Sequence, residues 1–265
     1  MLYYLRLIGL FVRASIQEEM AFRLNFVVNI LGTILSLTTG ILGIAILFHV
    51  VTTIQGWTFP ETLTLLAIYQ LITALQNLVI EEPGMVSLGG IDGDAWTGRF
   101  DYTLQAPVST QFLVSFRKWR LWSFIDVSLS LVLLCIAMTL LGKHIGLIQI
   151  AMFVFNLCIS LLIVYTIFLL LSSASLWQQG IPLTWIFNSV MQLGRYPVGI
   201  YPGALRLLLT WVVPVAFITT IPVEVLTRQA SPLVLMAGAA IAFGLFALAS
   251  FFFRMSLRHY TSASS

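Results

Sequence analysis

Apolar residues in this chain come in long blocks, not in strict alternation, and the blocks share a length. A hydrocarbon core about 30 Å thick takes roughly 20 residues of helix to cross. Residues 24–51 follow Arg23 without a charge, 63–80 lie between Glu61 and Glu81, 121–141 hold only Asp126, 145–177 hold none, and 232–253 are closed by Arg254. Between Trp177 and Pro232 the apolar pattern is punctuated by Pro182, Pro197, Pro202, Pro214 and Pro222, with Arg195, Arg206, Glu224 and Arg228 set into it. Proline removes a backbone donor and breaks helix, and broken backbone at membrane depth survives only where protein or a wet cavity shields it. This stretch is therefore expected to cross once, at about residues 176–196, and then to form a re-entrant hairpin at about 202–226. The pattern predicts an all-α polytopic membrane protein, a single domain over residues 1–265 with six transmembrane helices.

The positions of the cations orient those crossings. Arg6, Arg13, Arg23, Arg99, Arg117, Lys118, Arg120, Arg254 and Arg258, nine of the 13 Lys and Arg, fall on one face, and Lys143, Arg195, Arg206 and Arg228 on the other. Both termini and the largest loop, residues 82–120, are accordingly expected in the cytoplasm. The connection near Gln178 to Pro182 carries no cation and does not bear on this. Residues 1–22 place Arg6 and Arg13 seven apart on one face with Leu2, Leu5 and Phe11 among the apolar positions. A cleaved leader is not expected, because the apolar run between the arginines is short, no small-residue cleavage site follows, and Gln17, Glu18 and Glu19 come next. An amphipathic helix lying in the interface fits better.

Composition sharpens the class. With 59% hydrophobic and only 9% charged residues in 265, the chain lacks the quarter or so of charged residues that coats a soluble fold. Soluble enzymes, disordered scaffolds and nucleic-acid binders are excluded, and the net charge of +3 concerns topology, not nucleic acid. Cys135 and Cys158 both lie inside apolar runs and lack metal-site spacing.

The chemistry is marked mostly by what is missing. A P-loop needs G-x-x-x-x-G-K-[ST] to wrap phosphate with backbone N–H groups, and the nearest fragment, Gly142-Lys143-His144, lacks the first glycine and the hydroxyl. Neither H-E-x-x-H nor G-x-S-x-G occurs, and His49, His144 and His259 sit at or beyond segment ends. An ion-driven carrier normally buries ionisable groups in the membrane, and Asp126 is the sole candidate, as an interfacial partner of Arg117, Lys118 and Arg120 or as a substrate or proton contact. No half-repeat of the kind many carriers show is visible. Glu81 and Glu82 are adjacent, point about 100° apart on a helix, and read as the end of the second helix before Pro83-Gly84 or as a coupling element. Asn25 and Asn29, four apart, and Gln70 and Asn77, seven apart, each share a helix face, either for interhelical hydrogen bonds or as a cavity or dimer wall.

Two motifs stand out. The loop reads Gly98-Arg99-Phe100-Asp101-Tyr102-Thr103-Leu104-Gln105-Ala106-Pro107-Val108-Ser109. Phe100 and Leu104, with Thr103 beside them, would share a face of a short amphipathic helix ended by Pro107, a helix that either docks a partner or lies on the bilayer. Ser109 or Thr110 would cap the next helix. The second motif runs Arg195-Tyr196-Pro197-x-x-Ile200-Tyr201-Pro202-x-x-Leu205-Arg206, then Pro214-x-Ala216-Phe217 and Pro222-x-x-x-Leu226, and predicts two half-helices meeting near Pro214 or an irregular external cap.

This pair of motifs resembles the permease subunit of bacterial type-2 ATP-binding-cassette (ABC) exporters, whose loop reads G-x-[FIL]-D-x-x-L-x-x-P-[VI]-S and whose last third carries Y-P-x-x-[IL]-Y-P and P-x-A-F-x-x-x-x-P. The similarity extends over nearly the whole chain, including a tail like Tyr260-x-Ser262-Ala263. The resemblance implies a half-transporter in the bacterial inner membrane, with an N-terminal interfacial helix, a cytoplasmic coupling helix, and an external re-entrant hairpin between helices 5 and 6. It implies two separate ATPase subunits that hold ATP-Mg, a second permease, identical or homologous, and no cofactor on this chain. Carried over by position, Gly98, Phe100, Asp101, Leu104, Pro107 and Ser109, with Glu81 and Glu82 beside them, would meet the ATPase. Tyr196, Pro197, Tyr201, Pro202, Pro214, Phe217 and Pro222 would line the outward gate. The cargo expected from 19 Phe, 7 Trp and 8 Tyr and no buried ring of charge is hydrophobic or amphipathic, drug-like or lipid-like, not a small inorganic ion. An integral membrane enzyme acting on a lipid and an ATP-independent channel are the rival expectations.

Overall fold

In the computed structural model, residues 2–21, 23–81, 85, 88–89, 93–143, 145–177, 183–228 and 231–260 are described, side chains at 2, 21, 23–25 and 81 excepted. Glu82, Pro83-Gly84, His144, the 178–182 connection and the tail after Tyr260 lie outside the described residues, as do the side chains of Asn25 and Glu81.

Helix is the only regular structure among the described residues, apart from an isolated bridge between Ile54 and Trp57. The order is α1 (Leu2–Ala21), α2 (Arg23–Val50), α3 (Phe59–Gln76) running into a π-helical turn at Asn77–Glu81, α4 (Phe100–Leu104), α5 (Thr110–Phe116), α6 (Ser123–Leu141), α7 (Leu147–Trp177), α8 (Thr184–Met191), α9 (Gly203–Leu207), α10 (Ile221–Thr227) and α11 (Pro232–His259). Among the described residues, five segments are long and apolar enough to cross a bilayer: Phe26–Val50, Phe59–Ile80, Ser123–Leu141, Leu147–Trp177 and Pro232–His259. The pair Gly203–Val212 and Ala216–Thr227, bent by 73°, brings the count to six if it is taken as one span.

The fifth crossing expected over 176–196 includes 178–182, outside the described residues, and is described only on either side of them. Helix α7 runs to Trp177, and α8 has eight residues before a 3₁₀ turn at Gln192–Arg195, so α8 is about 12 Å long against a core of about 30 Å. The bend of the 203–227 pair coincides with the half-helices that the prolines mark. Pro214 sits between two π-helical turns, Leu208–Val212 and Ala216–Thr220, where its missing N–H breaks the ladder.

Helix α3 is the centre of the bundle. Leu65, Leu66, Ile68 and Ile72 are fully buried, with α6 and α2 on its sides and α7, α10 and the Ala216–Thr220 turn completing the ring. Helices α7 and α11 form the other extensive contact. Lipid supplies no hydrophobic drive for helix association, and these contacts use close approach instead. A Cβ at Gly40 would meet Leu66 at 3.0 Å, and one at Gly238 would meet Phe217 at 3.1 Å.

The chain has two chemically distinct ends. At one, α1 lies along the α5–α6 junction: Ser15 Oγ accepts from the Trp119 N–H at 3.0 Å, the Glu19 carboxylate accepts from the Leu121 N–H at 2.9 Å, Lys118 pairs with Glu18 at 3.7 Å, and Tyr4 packs edge-on against Phe112. Tyr260 closes this end against Phe100. At the other end, Arg228 ties the close of α10 to the start of α3, and Lys143 Nζ donates to the Thr227 carbonyl at 2.7 Å. We call these the terminal end and the distal end.

Candidate functional site

The loop motif builds a compact surface at the terminal end. Gly98 takes φ +76, a conformation natural to glycine, and turns the chain into α4. Only five residues long, α4 buries Phe100 (1% exposed) and Thr103 but not Tyr102 (76% exposed) or Leu104 (38% exposed). Four apart in this helix, Phe100 and Leu104 lie on one side of it, one above the other, but differ in cover. In a helix of little more than one turn the two lie at opposite ends. Tyr260 covers the first at a ring distance of 5.2 Å, and the second lies beyond that cover. Pro107 and Ser109 are exposed, Gly98 and Asp101 half-buried.

Neighbours hold this surface in place. Arg99 pairs with Asp94 at 3.3 Å, Arg117 reaches Thr103 Oγ1 at 3.4 Å, and the Tyr260 hydroxyl donates to the Ala95 carbonyl at 3.3 Å. Burial first, and then the Asp101 carboxylate beside it, push the Tyr260 phenol up to about 12. A cavity of about 480 Å³ opens between α4 and α5, lined by Asp94, Arg99, Tyr102, Arg117 and Lys118 among others. Both signs of charge and an exposed aromatic make this a surface suited to a protein partner.

A second group of the sequence candidates meets inside the spans. Asn29, Gln70 and Asn77 line one cavity of about 380 Å³ with Thr33, Arg120 and Asp126. Gln70 Nε2 donates to Ser36 Oγ at 3.1 Å, Arg120 Nη2 to Asn29 Oδ1 at 2.7 Å, and Thr33 Oγ1 to Asp126 Oδ1 at 2.6 Å. Asp126, expected either as a partner of the nearby cations or as a substrate or proton contact, accepts from a hydroxyl of α2 and shares the cavity with Arg120. Two helix faces recognised separately in the sequence therefore form opposite walls of a single polar cleft.

The proline-rich motif occupies the distal half. Pro197, Pro214, Phe217 and Pro222 are buried, Tyr196 and Tyr201 half-buried, and Pro202 exposed. Phe217 packs between α7 and α11, its carbonyl accepting from Ser160 Oγ at 3.2 Å. Tyr201 Oη donates to the Leu193 carbonyl at 2.8 Å. Gly194 makes the closest approach: a Cβ there would meet Val215 and Thr219 side-chain atoms at 3.0–3.2 Å, so the 3₁₀ turn before Arg195 rests directly on the second half of the bent pair.

One pair was not singled out in the sequence. The Glu61 carboxylate, 8% exposed, accepts from the Thr58 N–H at 3.0 Å and from Arg228 Nε and Nη2 at 3.2 and 2.8 Å. Arg228 also donates to the Gly56 carbonyl at 2.6 Å, and its guanidinium lies 4.5 Å over the Trp57 ring. Among the described residues no cluster of His, Cys, Asp and Glu has the makings of a metal site.

Helices of spanning length, packed round a buried central one, define a multi-pass membrane protein. A family model described as "ABC-2 family transporter protein" matches residues 34–264, and the chain belongs to that family, the membrane permease components of ABC transporters. No curated protein and no solved structure matches the chain.

Proposed function

We propose that this chain is the transmembrane subunit of an ATP-driven exporter, forming half of a translocation pathway for a hydrophobic or amphipathic, drug-like or lipid-like molecule. Membership of the ABC-2 permease family over residues 34–264 carries the reading. ATP hydrolysis then belongs to two partner subunits, which hold ATP-Mg, and the exposed side of α4 with Pro107 and Ser109 is the surface they push. The terminal end, where Arg99, Arg117, Lys118 and Arg258 gather, is cytoplasmic by the positive-inside rule, and the membrane is the bacterial inner membrane. The bent 203–227 pair is a re-entrant hairpin, with Tyr196 to Pro222 forming the outward gate.

A second permease, identical or homologous, completes the pathway. Only 6% of the α2 span is buried within the single chain, and the face bearing Asn29, Thr33 and Ser36 is more polar than lipid favours. Rocking of the two permeases, driven by closure of the ATPases, would expose the cleft to each side in turn.

Affinity purification of the tagged chain from native membranes tests this. An ATP-hydrolysing subunit is expected to co-purify and the isolated chain to hydrolyse no ATP above background. Turnover of a lipid by the isolated chain, or ATP-independent flux through it in vesicles, overturns the reading in favour of an enzyme or a channel.

A further inference from the structure

Arg195 does not sit at the distal surface, where its place in the charge pattern suggested. Its guanidinium lies 5.3 Å over the ring of Tyr69, a residue about 15 Å along α3 from Phe59. Gly194, pressed against Val215 and Thr219, fixes the backbone beside it. The Nε atom is buried and has no hydrogen-bond acceptor. Among the described residues no carboxylate comes within ion-pair distance of this guanidinium. Contrast Arg228, which has Glu61, Gly56 and Trp57. A guanidinium at membrane depth is costly unless it serves a purpose, and a ring face offsets only a small part of that cost.

The surroundings point to that purpose. Arg195 borders a cavity of about 370 Å³ together with Thr39 of α2, Ser189 of α8, Gln192 of the 3₁₀ turn that follows it, and the rings of Tyr196 and Tyr201. Among the described residues, no acidic one lines it. Gln192 offers a neutral amide donor beside the cation, the Ser189 and Thr39 hydroxyls donate to the Trp185 and Leu35 carbonyls of their own helices, and Gly40, Ile44 and Leu193 give the cavity an apolar wall. The volume suits a small headgroup with its first methylenes. Thr39, Gly40 and Ile44 bring α2 into the lining, a helix left largely uncovered by the rest of the chain.

We propose that this cavity binds the anionic headgroup, phosphate or carboxylate, of a single-chain or lipid-like amphiphile, with the Arg195 guanidinium as the specificity-determining contact. A tetrahedral or planar oxyanion takes paired N–H donors from one guanidinium, which would satisfy the orphaned Nε, and the acyl tail follows the apolar wall towards α2. The proposal narrows the cargo class of the exporter reading and rests on that reading for its biological meaning. The binding itself is a property of the isolated chain, so failure of either leaves the other standing.

The test uses the full-length chain purified in a neutral maltoside detergent, with dodecyl phosphate as probe and isothermal titration calorimetry as readout. Dodecyltrimethylammonium tests the sign of the charge, and inorganic phosphate tests the headgroup without its tail. Wild type is expected to bind dodecyl phosphate at least about tenfold more tightly than either, and Arg195→Gln to lose about tenfold, as befits loss of a charge-assisted contact. Arg195→Lys, which keeps the charge but not the fork, should fall between them. Equal binding by Arg195→Gln and wild type, or equal affinity for the cationic probe, overturns the proposal. Inorganic phosphate binding as tightly as dodecyl phosphate overturns the amphiphile assignment. If Arg195→Gln shifts in size exclusion or thermal unfolding, the folded double variant Ser189→Ala/Gln192→Ala decides: a drop in affinity of about threefold or more supports the site, and no change refutes it.

Discussion

At the scale of single residues, Glu61 and Arg228 tie together positions 167 apart through two hydrogen bonds between oppositely charged groups. Arg228→Ala leaves a carboxylate buried without its main partner, and the expected loss is roughly 1.5–3 kcal/mol, less than for a fully buried pair because Arg228 is one-third exposed. Thermal unfolding in detergent checks this, with a double-mutant cycle through Glu61→Gln to isolate the pair. An unchanged midpoint for Arg228→Ala would mean the tie contributes nothing. Tyr260 gives a pH-dependent counterpart. With its phenol held up at about 12 against an ordinary 10, the protonated form is the one favoured in the folded state. Its contribution is complete below pH 10 and is lost as pH rises towards 12. Ultraviolet titration of wild type against Tyr260→Phe should show one phenol missing from the late step; a missing step near pH 10 would contradict the burial. Neither contact was legible in the sequence, where Glu61 and Arg228 were only a boundary and a counted cation. Partners brought together by tertiary packing leave no local pattern to read.

At the scale of elements, the apolar blocks identified five of the spans to within a few residues, because bilayer thickness sets helix length directly. The 176–196 stretch could not be resolved in this way. Its apolar residues satisfy a helix pattern, but Pro197 and the glycine-tight turn at Gly194 end the helix early. Helix α4 was legible as an element, but which end of its apolar side is covered was not, because the cover on Phe100 comes from Tyr260, far away in the sequence. For the proposed ATPase contact, the exposed side of α4 carries Tyr102 and Leu104, so Leu104→Asp and Asp101→Arg should uncouple ATP hydrolysis from transport without reducing membrane insertion, whereas Phe100→Asp should disrupt folding at the Tyr260 contact. The assembled complex in proteoliposomes distinguishes them, and unchanged export by Leu104→Asp would remove α4 from the coupling path. The polar cleft was half legible. Asn29 and the Gln70–Asn77 pair marked two faces, but only the packed structure sets Asn29, Gln70 and Asn77 around one cavity with Arg120 and Asp126.

At the scale of the whole molecule, the division of charge between two ends predicts a topology. In a background lacking Cys135 and Cys158, both exposed, cysteines at Arg117 and Arg258 should resist an impermeant thiol reagent in intact cells, while one at Arg206, exposed on α9, should react. The reverse labelling pattern would invert the orientation. Arg195 would be a poor labelling site, since it borders a cavity.

The unequal lengths of α6 and α7 have a mechanical consequence. The two helices follow one another closely at the distal end, with 19 and 31 residues, so the surplus of α7, about 18 Å, emerges wholly at the terminal end. There Ser172 holds the Met85 carbonyl at 2.9 Å and Trp177 meets His259. Taking the Ser160–Phe217 contact as fulcrum, the outer arm to Trp177 is about 26 Å and the inner arm to Leu147 about 20 Å. A 2 Å sideways stroke at Trp177 then tilts a rigid α7 by about 4° and swings Leu147 about 1.5 Å the opposite way. Helix α7 has the proportions of a first-class lever, transmitting to the distal end most of the displacement applied to its handle.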